Sequence, residues 1–443
     1  MKRVIVIGAG VAGLAAAARL QHAGYEVTLF EKEPLVGGKM NQIREEGFTF
    51  DVGPTIVMMP ELYREVFETC GRNADDYIPM EKVEPLMDIS FGPGDRLRLS
   101  NDLASMTAAV EAVGEKDAQG YFEYLALLYK RYLIAKDNFL QRSFRKPIDF
   151  YNPKSLVAGL RLHTLGDAYS SVAHHVKDDR LRKALAFQTL YIGISPFEGP
   201  SLYMIIPMIE LLYGVWFMKG GMYAMAQAMG RLFLEQGGEL RTSTPVERIV
   251  VENGCACGVE AGGAVHYADY VVCDADFPYA ITQLVDEADA RFPDDPSFYC
   301  YAPSSLDRSL APEGCSTLYV LVPVPPLSPA SPRWSDAEVA EYRDRVLDLM
   351  ERETVYEDVR DHIVFERAYT PLDFAERFNA YDGATFGLRP TLGQSNYWRP
   401  HNKATDCSRL YFCGSSVHPG AGVPIVLLSA KLAAEELMRD DRL

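Results

Sequence analysis

No two of the eight cysteines in this 443-residue chain stand in a C-x-x-C spacing, and none joins a histidine at zinc-ligand spacing. Positions 70, 255, 257, 273, 300, 315, 407 and 413 therefore supply neither a dithiol motif nor a structural metal site. A reduced, cytoplasmic compartment is the default expectation. Positive charge is also in short supply. With 44 Lys and Arg against 61 Asp and Glu the formal net charge is −17, which excludes a nucleic-acid partner. Long apolar runs are missing too. The stretch Val4 to Ile7, broken at once by glycines, is too short for a secretory signal. The longest candidate, Leu202 to Met218, falls short of the roughly 20 residues of a spanning helix. It also holds Pro207 and places Glu210 at its centre, where an ionised group in hydrocarbon is costly. No transmembrane helix is expected. Nor does the chain show a nucleophile with its base, a paired carboxylate or a metal cluster.

What is present is a globular composition, 48% apolar and 24% charged. The length suggests about three domains, or two large interleaved ones. The N-terminus carries the clearest signal. Val4 to Ile7 reads as a buried strand, Gly8, Gly10 and Gly13 as a G-x-G-x-x-G turn, Leu14 to Leu20 as a small-residue helix, and Val27 to Phe30 as a second strand ending at Glu31. In such a unit the first glycine makes the turn, the second leaves room for a pyrophosphate, and the third lets helix and strand pack closely. The helix N-terminus stabilises the phosphate charge. Glu31 follows Gly8 by 23 residues, near the spacing of a carboxylate that binds ribose hydroxyls. A second glycine pair, Gly37-Gly38, comes soon after the acid and favours the longer FAD over a nicotinamide cofactor.

Further along, Phe48 to Pro54 reads as an extended run with a turn, either an approach to a ring system or an ordinary strand. Asp102 to Leu140 has helical periodicity, with Tyr121, Phe122, Leu125, Leu128, Tyr129 and Tyr132 at three- and four-residue steps, the aromatics reading as core rather than cofactor contacts. Residues 120–165 carry eight basic side chains (Lys130, Arg131, Lys136, Arg142, Arg145, Lys146, Lys154, Arg161) against three acidic ones. This is either a solvated helix face or a surface for an anionic membrane. Gly220-Gly221 precedes a helix from Ala224 to Gln236 and offers a second close approach of backbone to cofactor or substrate. Pro245 to Val251 and Cys255 to Val259 flank an Asn253-Gly254 hairpin signal. Tyr270 to Cys273 is a buried strand ending in Asp274 and Asp276. Ser316 to Val324 reads as a strand and Trp334 to Glu353 as a charged amphipathic helix. Leu410 to Cys413, a glycine loop through Pro424, and a helix from Ile425 to Met438 repeat the opening pattern. The chain is expected to fold back and complete one cofactor site.

Several stretches resemble the FAD-dependent carotenoid (phytoene-type) desaturases of bacteria over nearly the whole length. They are GFTFDVGPTIVMMPELYREVF from Gly47, RKPIDFYN from Arg145, LAFQTLYIGISPFEGPSLYMIIPMIE from Leu185, KGGMYAMAQAM from Lys219, SLAPEG from Ser309, PTLGQSNYWRPHN from Pro390 and VHPGAGVPIVLLSAK from Val417. The resemblance implies an α/β, Rossmann-like FAD-binding domain built from residues 1–75, 219–286 and 405–443. It implies an α+β substrate domain, 76–218 and 292–404, with a helical membrane-facing part. Carried over, FAD would contact Gly8, Gly10, Gly13, Glu31, Lys32, Gly38, Lys39, Met40, Gly53, Pro54, Thr55, Val246, Gly414, Gly422, Val423 and Pro424. The implied activity is stepwise formation of C=C bonds in a linear C30 polyene such as 4,4′-diapophytoene, with oxygen or a membrane quinone as electron acceptor. A C40 phytoene substrate is the nearest alternative; an oxygenase or isomerase on the same scaffold is another. The expected location is cytoplasmic and peripherally membrane-associated, with Leu202 to Met218 as a tunnel wall, a membrane-dipping surface or a plain buried helix.

One departure stands out. In the family several dozen residues separate the parts matching Ala275–Pro278 and Pro296–Tyr301, whereas here Asp286 to Arg291 joins them almost directly. A piece of the substrate domain is expected to be missing, and a flavin-binding protein without turnover is the reading that follows if that piece is essential. An amine oxidase is disfavoured because the apolar stretch suits a lipid. Of the polar groups near motifs, Asp51, Glu210 and His418 are candidate proton acceptors, each with a structural alternative.

Overall fold

The computed structural model describes residues 1–92, 94–144, 146–162, 166–192, 195–276, 296, 298–327, 334–353, 356–388 and 396–442. Arg145, the junction at 286–292 and most of the PTLGQSN stretch lie outside the described residues.

The strand β1 (Arg3–Ile7) has Val4, Ile5 and Val6 buried, as a strand covered on both faces must. It is central in a five-stranded parallel sheet. The order is Leu410–Phe412, Tyr270–Cys273, β1, β2 (Glu26–Phe30) and Glu239–Arg241. Ile7 pairs with both Phe30 and Cys273, and Cys273 with Phe412, so four strands end level at one edge. That edge, outside the carboxyl ends of the strands, is where open α/β sheets bind ligands. The helix α1 (Val11–His22) has no exposed alanine: Ala12 and Ala15 to Ala18 are fully buried. Small side chains let it lie between the C-terminal helix Val423–Asp441 and the helix Tyr223–Glu235. The far end of the chain thus returns to the first strand, as the repeated pattern predicts.

A second core is helical. The periodicity of residues 102–140 resolves into two helices, Leu103–Val113 and Glu115–Ala135, with a widened turn at Lys136–Leu140. Gly114 sits in extended backbone between them, and Asp102 caps the first by accepting the Ser105 N–H at 2.8 Å. Tyr121, Leu128 and Tyr132 are core, as expected, and Phe122 packs partly buried against them, whereas Tyr129 is exposed, contrary to expectation; Arg131 is buried too, which removes it from the basic surface.

Leu202 to Met218 is not one helix. It divides into a single turn at Ser201–Met204, a helix at Ile205–Tyr213 and a strand at Trp216–Met218, the chain reversing at Gly214 with φ +84°. Most of it is buried. Among the described residues no helix is long and apolar enough to cross a membrane.

Smaller sheets complete the frame. β3 (Asn41–Glu45) and β4 (Phe48–Val52) form a hairpin, the first of them not foreseen in the sequence. Val246–Glu252, Cys255–Ala261 and Ala264–Tyr267 form an antiparallel sheet whose first turn has Asn253 and Gly254 both at positive φ, as a tight hairpin requires. The expected strand at Ser316–Val324 shortens to Tyr319–Leu321, because its partner Tyr299–Tyr301 is only that long. The helix read from Trp334 begins at Asp336, where Ser335 and Glu338 cap each other.

Candidate functional site

A cavity of about 3140 Å³ opens at the carboxyl edge of the parallel sheet. Ordinary small-molecule sites span roughly 300–1,000 Å³, so there is room for two large ligands. One end is built from backbone turns. Gly8 and Gly10 come from the first loop and Glu31 and Lys32 from the end of β2. Gly38, Lys39 and Met40 follow the second glycine pair, Gly53, Pro54 and Thr55 leave β4, and Val246 begins a strand of the antiparallel sheet. Gly414, Gly422, Val423 and Pro424 arrive from the C-terminal loop and helix. Fifteen of the sixteen positions proposed from sequence therefore line one cavity. Gly13 does not; a Cβ on it would lie 1.9 Å from the Gly8 carbonyl oxygen, so its part is close packing of turn and helix.

These residues fit a dinucleotide. Val11 and Ala12, in the first turn of α1, line the cavity where a pyrophosphate would meet backbone N–H groups and the positive end of the helix. Glu31, 7% exposed, accepts the N–H of Ala9 at 2.7 Å and of Glu33 at 2.9 Å. A carboxylate has about four acceptor positions, so it can still take ribose hydroxyls. Burial pushes its pKa up, against those two bonds. Lys39 donates to the Thr385 carbonyl at 3.0 Å and lies 3.8 Å from Asp276; burial lowers its pKa, with Asp276 opposing.

Asp274, read in the sequence only as the end of a buried strand, is a site residue to which the sequence reading gave no role. Its Oδ2 accepts the Gly13 N–H at 2.9 Å. A Cβ at Gly10 would come within 2.6 Å of Oδ2, and one at Gly414 within 2.9 Å of Oδ1. One carboxyl thus gauges both glycine loops. Burial pushes its pKa up to about 8, the Gly13 bond opposing and nearby Glu31 adding. The available signal was the pattern itself: a parallel strand ending in an acid, as β2 ends in Glu31. Arg399 was likewise missed. It is 2% exposed, donates to the Ser415, Val417 and Leu388 carbonyls, and burial lowers its pKa to about 10.

The other end of the cavity is apolar and aromatic. Phe48, Phe50 and Phe365 stack at 5.8–6.3 Å, and Tyr191, Tyr299 and Tyr319 also line the cavity, the last two on the short sheet, with Tyr301 stacked behind Tyr299. Ile206, Ile209, Val346, Leu347 and Met350 add aliphatic wall. Such a lining suits a long hydrocarbon.

Three other expectations are settled by contacts. Gly220 and Gly221 are not at the cavity: both have φ near +84°, and a Cβ on Gly221 would lie 2.5 Å from Asp51. Asp51 is itself a helix cap, accepting the Met222 N–H at 2.7 Å and the Tyr223 N–H at 3.2 Å. His418 packs on Phe144 and its Nε2 lies 2.9 Å from the Arg142 carbonyl oxygen. Both therefore take their structural alternatives, leaving Glu210.

The family described as "Flavin containing amine oxidoreductase" matches residues 11–296 and 292–438. The 4,4′-diapophytoene desaturase (4,4′-diaponeurosporene-forming) of Staphylococcus haemolyticus is 41% identical, with 99% of each chain covered, and that of Staphylococcus aureus strain Newman is equally similar. The first alignment runs over 494 positions, 51 more than this chain has residues. Among solved structures, a putrescine oxidase variant shares the fold at TM-score 0.62 and 14% identity, covering 100% of this chain and 99% of its own. An oxidoreductase from Methanosarcina mazei matches at 0.61 and 17%, covering 98% and 100%. Fold, glycine-loop geometry and full-length similarity agree: the chain belongs to the flavin-containing amine oxidoreductases, and within them to the family of the 4,4′-diapophytoene desaturases.

Proposed function

We propose that the protein is an FAD-dependent desaturase that introduces C=C bonds stepwise into a linear C30 polyene, 4,4′-diapophytoene, in carotenoid biosynthesis. The observation that carries this reading is the single cavity with a dinucleotide-fitting end and an aromatic, aliphatic end. FAD supplies the two-electron acceptor. The chain supplies alignment. Glu31 takes the ribose hydroxyls, and Lys32, Gly38, Lys39, Met40, Gly53, Pro54, Thr55 and Val246 follow the extended cofactor. Gly414, Gly422, Val423 and Pro424 close on it from the other side. The Phe48, Phe50 and Phe365 stack and the tyrosines hold the polyene straight and keep water out. Electrons leave to oxygen or a membrane quinone, since the only dinucleotide unit legible in the chain is assigned to FAD. The cofactor-binding side comprises 1–75, 219–286 and 405–443, and the substrate side 76–218 and 292–404.

The substrate side is shorter than in the relatives. The long alignment, and the family match that breaks into two pieces overlapping at 292–296, support a family segment missing near 286–292. The protein meets the membrane through a face where Ile148, Tyr151, Leu156, Val157 and Trp398 are exposed beside Lys146 and Lys154. The Tyr151 ring centroid lies 6.3 Å from that of Trp398, which also lines the cavity, and this adjacency supports entry of an apolar substrate from that face. Each lysine near an anionic surface adds about 1 kcal/mol. Changing Lys146 and Lys154 to Glu, and Leu156 and Val157 to Ser, should release the protein from anionic vesicles; unchanged sedimentation rules this face out.

Expression in cells that accumulate 4,4′-diapophytoene or phytoene, with pigments read by chromatography, tests the function. Coloured C30 products are expected. If neither polyene changes in cells holding the FAD-loaded protein, the desaturase reading fails and a non-catalytic flavoprotein takes its place.

A further inference from the structure

Two residues assigned to the cofactor, Lys32 and Lys39, turn their ammonium groups to one stretch of the substrate side. Lys32, just past the end of β2, donates to the Asn379 Oδ1 at 2.7 Å and to the Glu376 carbonyl at 3.2 Å. Lys39 donates to the carbonyls of Thr385 at 3.0 Å and Ala384 at 3.4 Å. Two further groups of the cofactor side hold the same stretch. Asp276, past the strand Tyr270–Cys273, accepts the Tyr381 N–H at 3.4 Å and lies 3.8 Å from the Lys39 Nζ. Ser416, past the strand Leu410–Phe412, accepts the Leu388 N–H at 3.3 Å and donates to Asp276. Asn379 and residues 381–388 all line the cavity.

The order of these contacts shows where the stretch runs. In the sheet β2, β1, Tyr270–Cys273 and Leu410–Phe412 are successive neighbours. From Asn379 to Leu388 the chain meets groups lying past β2, past Tyr270–Cys273 and past Leu410–Phe412, in that order. Three strand spacings are about 14 Å. Ten residues reach that far even with a turn among them. The stretch therefore crosses the carboxyl ends of the strands, outside which such sheets bind their ligands.

We propose that residues 379–388 are a strap that shuts FAD into its site, and that Lys32 and Lys39 retain the cofactor by pinning this strap. This rests on the assignment of that end of the cavity to FAD. A hydrogen bond from an ammonium group is stronger than one between neutral partners, so the two lysines are the firmest of the pins. The strap is tied from the substrate side as well, where the Leu327 N–H donates to the Asp382 carbonyl at 2.8 Å. FAD cannot cross the strand ends until these bonds open. Its release and its entry are both limited by that opening, as for other closing loops.

Asn379 offers a clean probe. Its φ of +50° suits glycine, so Asn379→Gly removes the acceptor of Lys32 without straining the backbone. The test follows FAD leaving the holoprotein and binding the apoprotein by flavin fluorescence, together with hydrogen exchange over 379–388. Asn379→Gly and Lys32→Met should each release FAD on the order of 10-fold faster. Entry should speed up with release, since one opening serves both. The double variant should release FAD no faster than either single one, because both changes remove the same bond. In the wild type the Tyr381 and Leu388 amides should exchange several-fold more slowly with FAD bound. Unchanged release in Asn379→Gly, additive effects in the double variant, or faster release without faster entry overturns the proposal. Should the variants fail to fold, equal wild-type exchange with and without FAD overturns it too. A wild-type protein that binds no FAD at all would instead sink the cofactor assignment, and the strap with it.

Discussion

The two ends of the cavity are held by different forces. At the cofactor end, backbone turns from two separate stretches, the first glycine loop and the loop at Gly414, meet around Asp274, with gaps that a single Cβ would close. At the substrate end, stacked rings and aliphatic side chains form a wall whose members touch one another over broad surfaces. A site made of backbone N–H groups and carboxylates depends on geometry to a fraction of an ångström. A site made of apolar area depends on shape and tolerates exchange.

The comparison breaks most visibly at Gly10. A bulky Gly10→Leu side chain would collide with the Asp274 carboxyl, so the protein should purify colourless, with FAD retention abolished; a fully yellow preparation would show that the loop has more room than its geometry allows. Asp51, which ties β4 to the helix Tyr223–Glu235, should give a smaller effect. Burial raises its pKa from 3.8 to about 6, so the folded state holds a proton that the unfolded chain has released. Its contribution to stability is fully present below 3.8 and is lost as pH rises through about 6. Thermal melting of Asp51→Asn across that window should show a shallower decline than wild type, and identical slopes would remove Asp51 as the cause. The smallest effect belongs to the substrate end. Phe365→Ala removes one ring of a stack of three and should keep full FAD while raising KM several-fold, about 1 kcal/mol of lost ring contact. Loss of FAD in that variant would mean that the two ends are not separable.

The same contrast governs what could be read from the chain. The first loop, α1, β2 and Glu31 were legible because every contact needed to recognise them lies within a short stretch. Asp274 was not, since its partner Gly13 is 261 residues away, and a strand ending in an acid is ambiguous until the sheet order is known. The Gly220-Gly221 pair looked like a second cofactor approach, yet it is shaped by Asp51, 171 residues before the Met222 N–H which that carboxylate accepts. Periodicity marked Asp102–Leu140 as helical but could not see the break at Gly114. In Leu202–Met218 apolar content was legible while the turn at Gly214 was not, so one run concealed a helix and a strand. The Oε2 of Glu210, without a hydrogen-bond partner among the described residues, has no sequence signature at all, only a position in the middle of that run.

Anaerobic addition of 4,4′-diapophytoene in anionic vesicles to the oxidised, FAD-loaded protein tests the central claim most directly. The account predicts bleaching of the flavin absorption with formation of a polyene carrying one more double bond for each flavin reduced. A flavin that stays fully oxidised, with the polyene recovered unchanged, would contradict it.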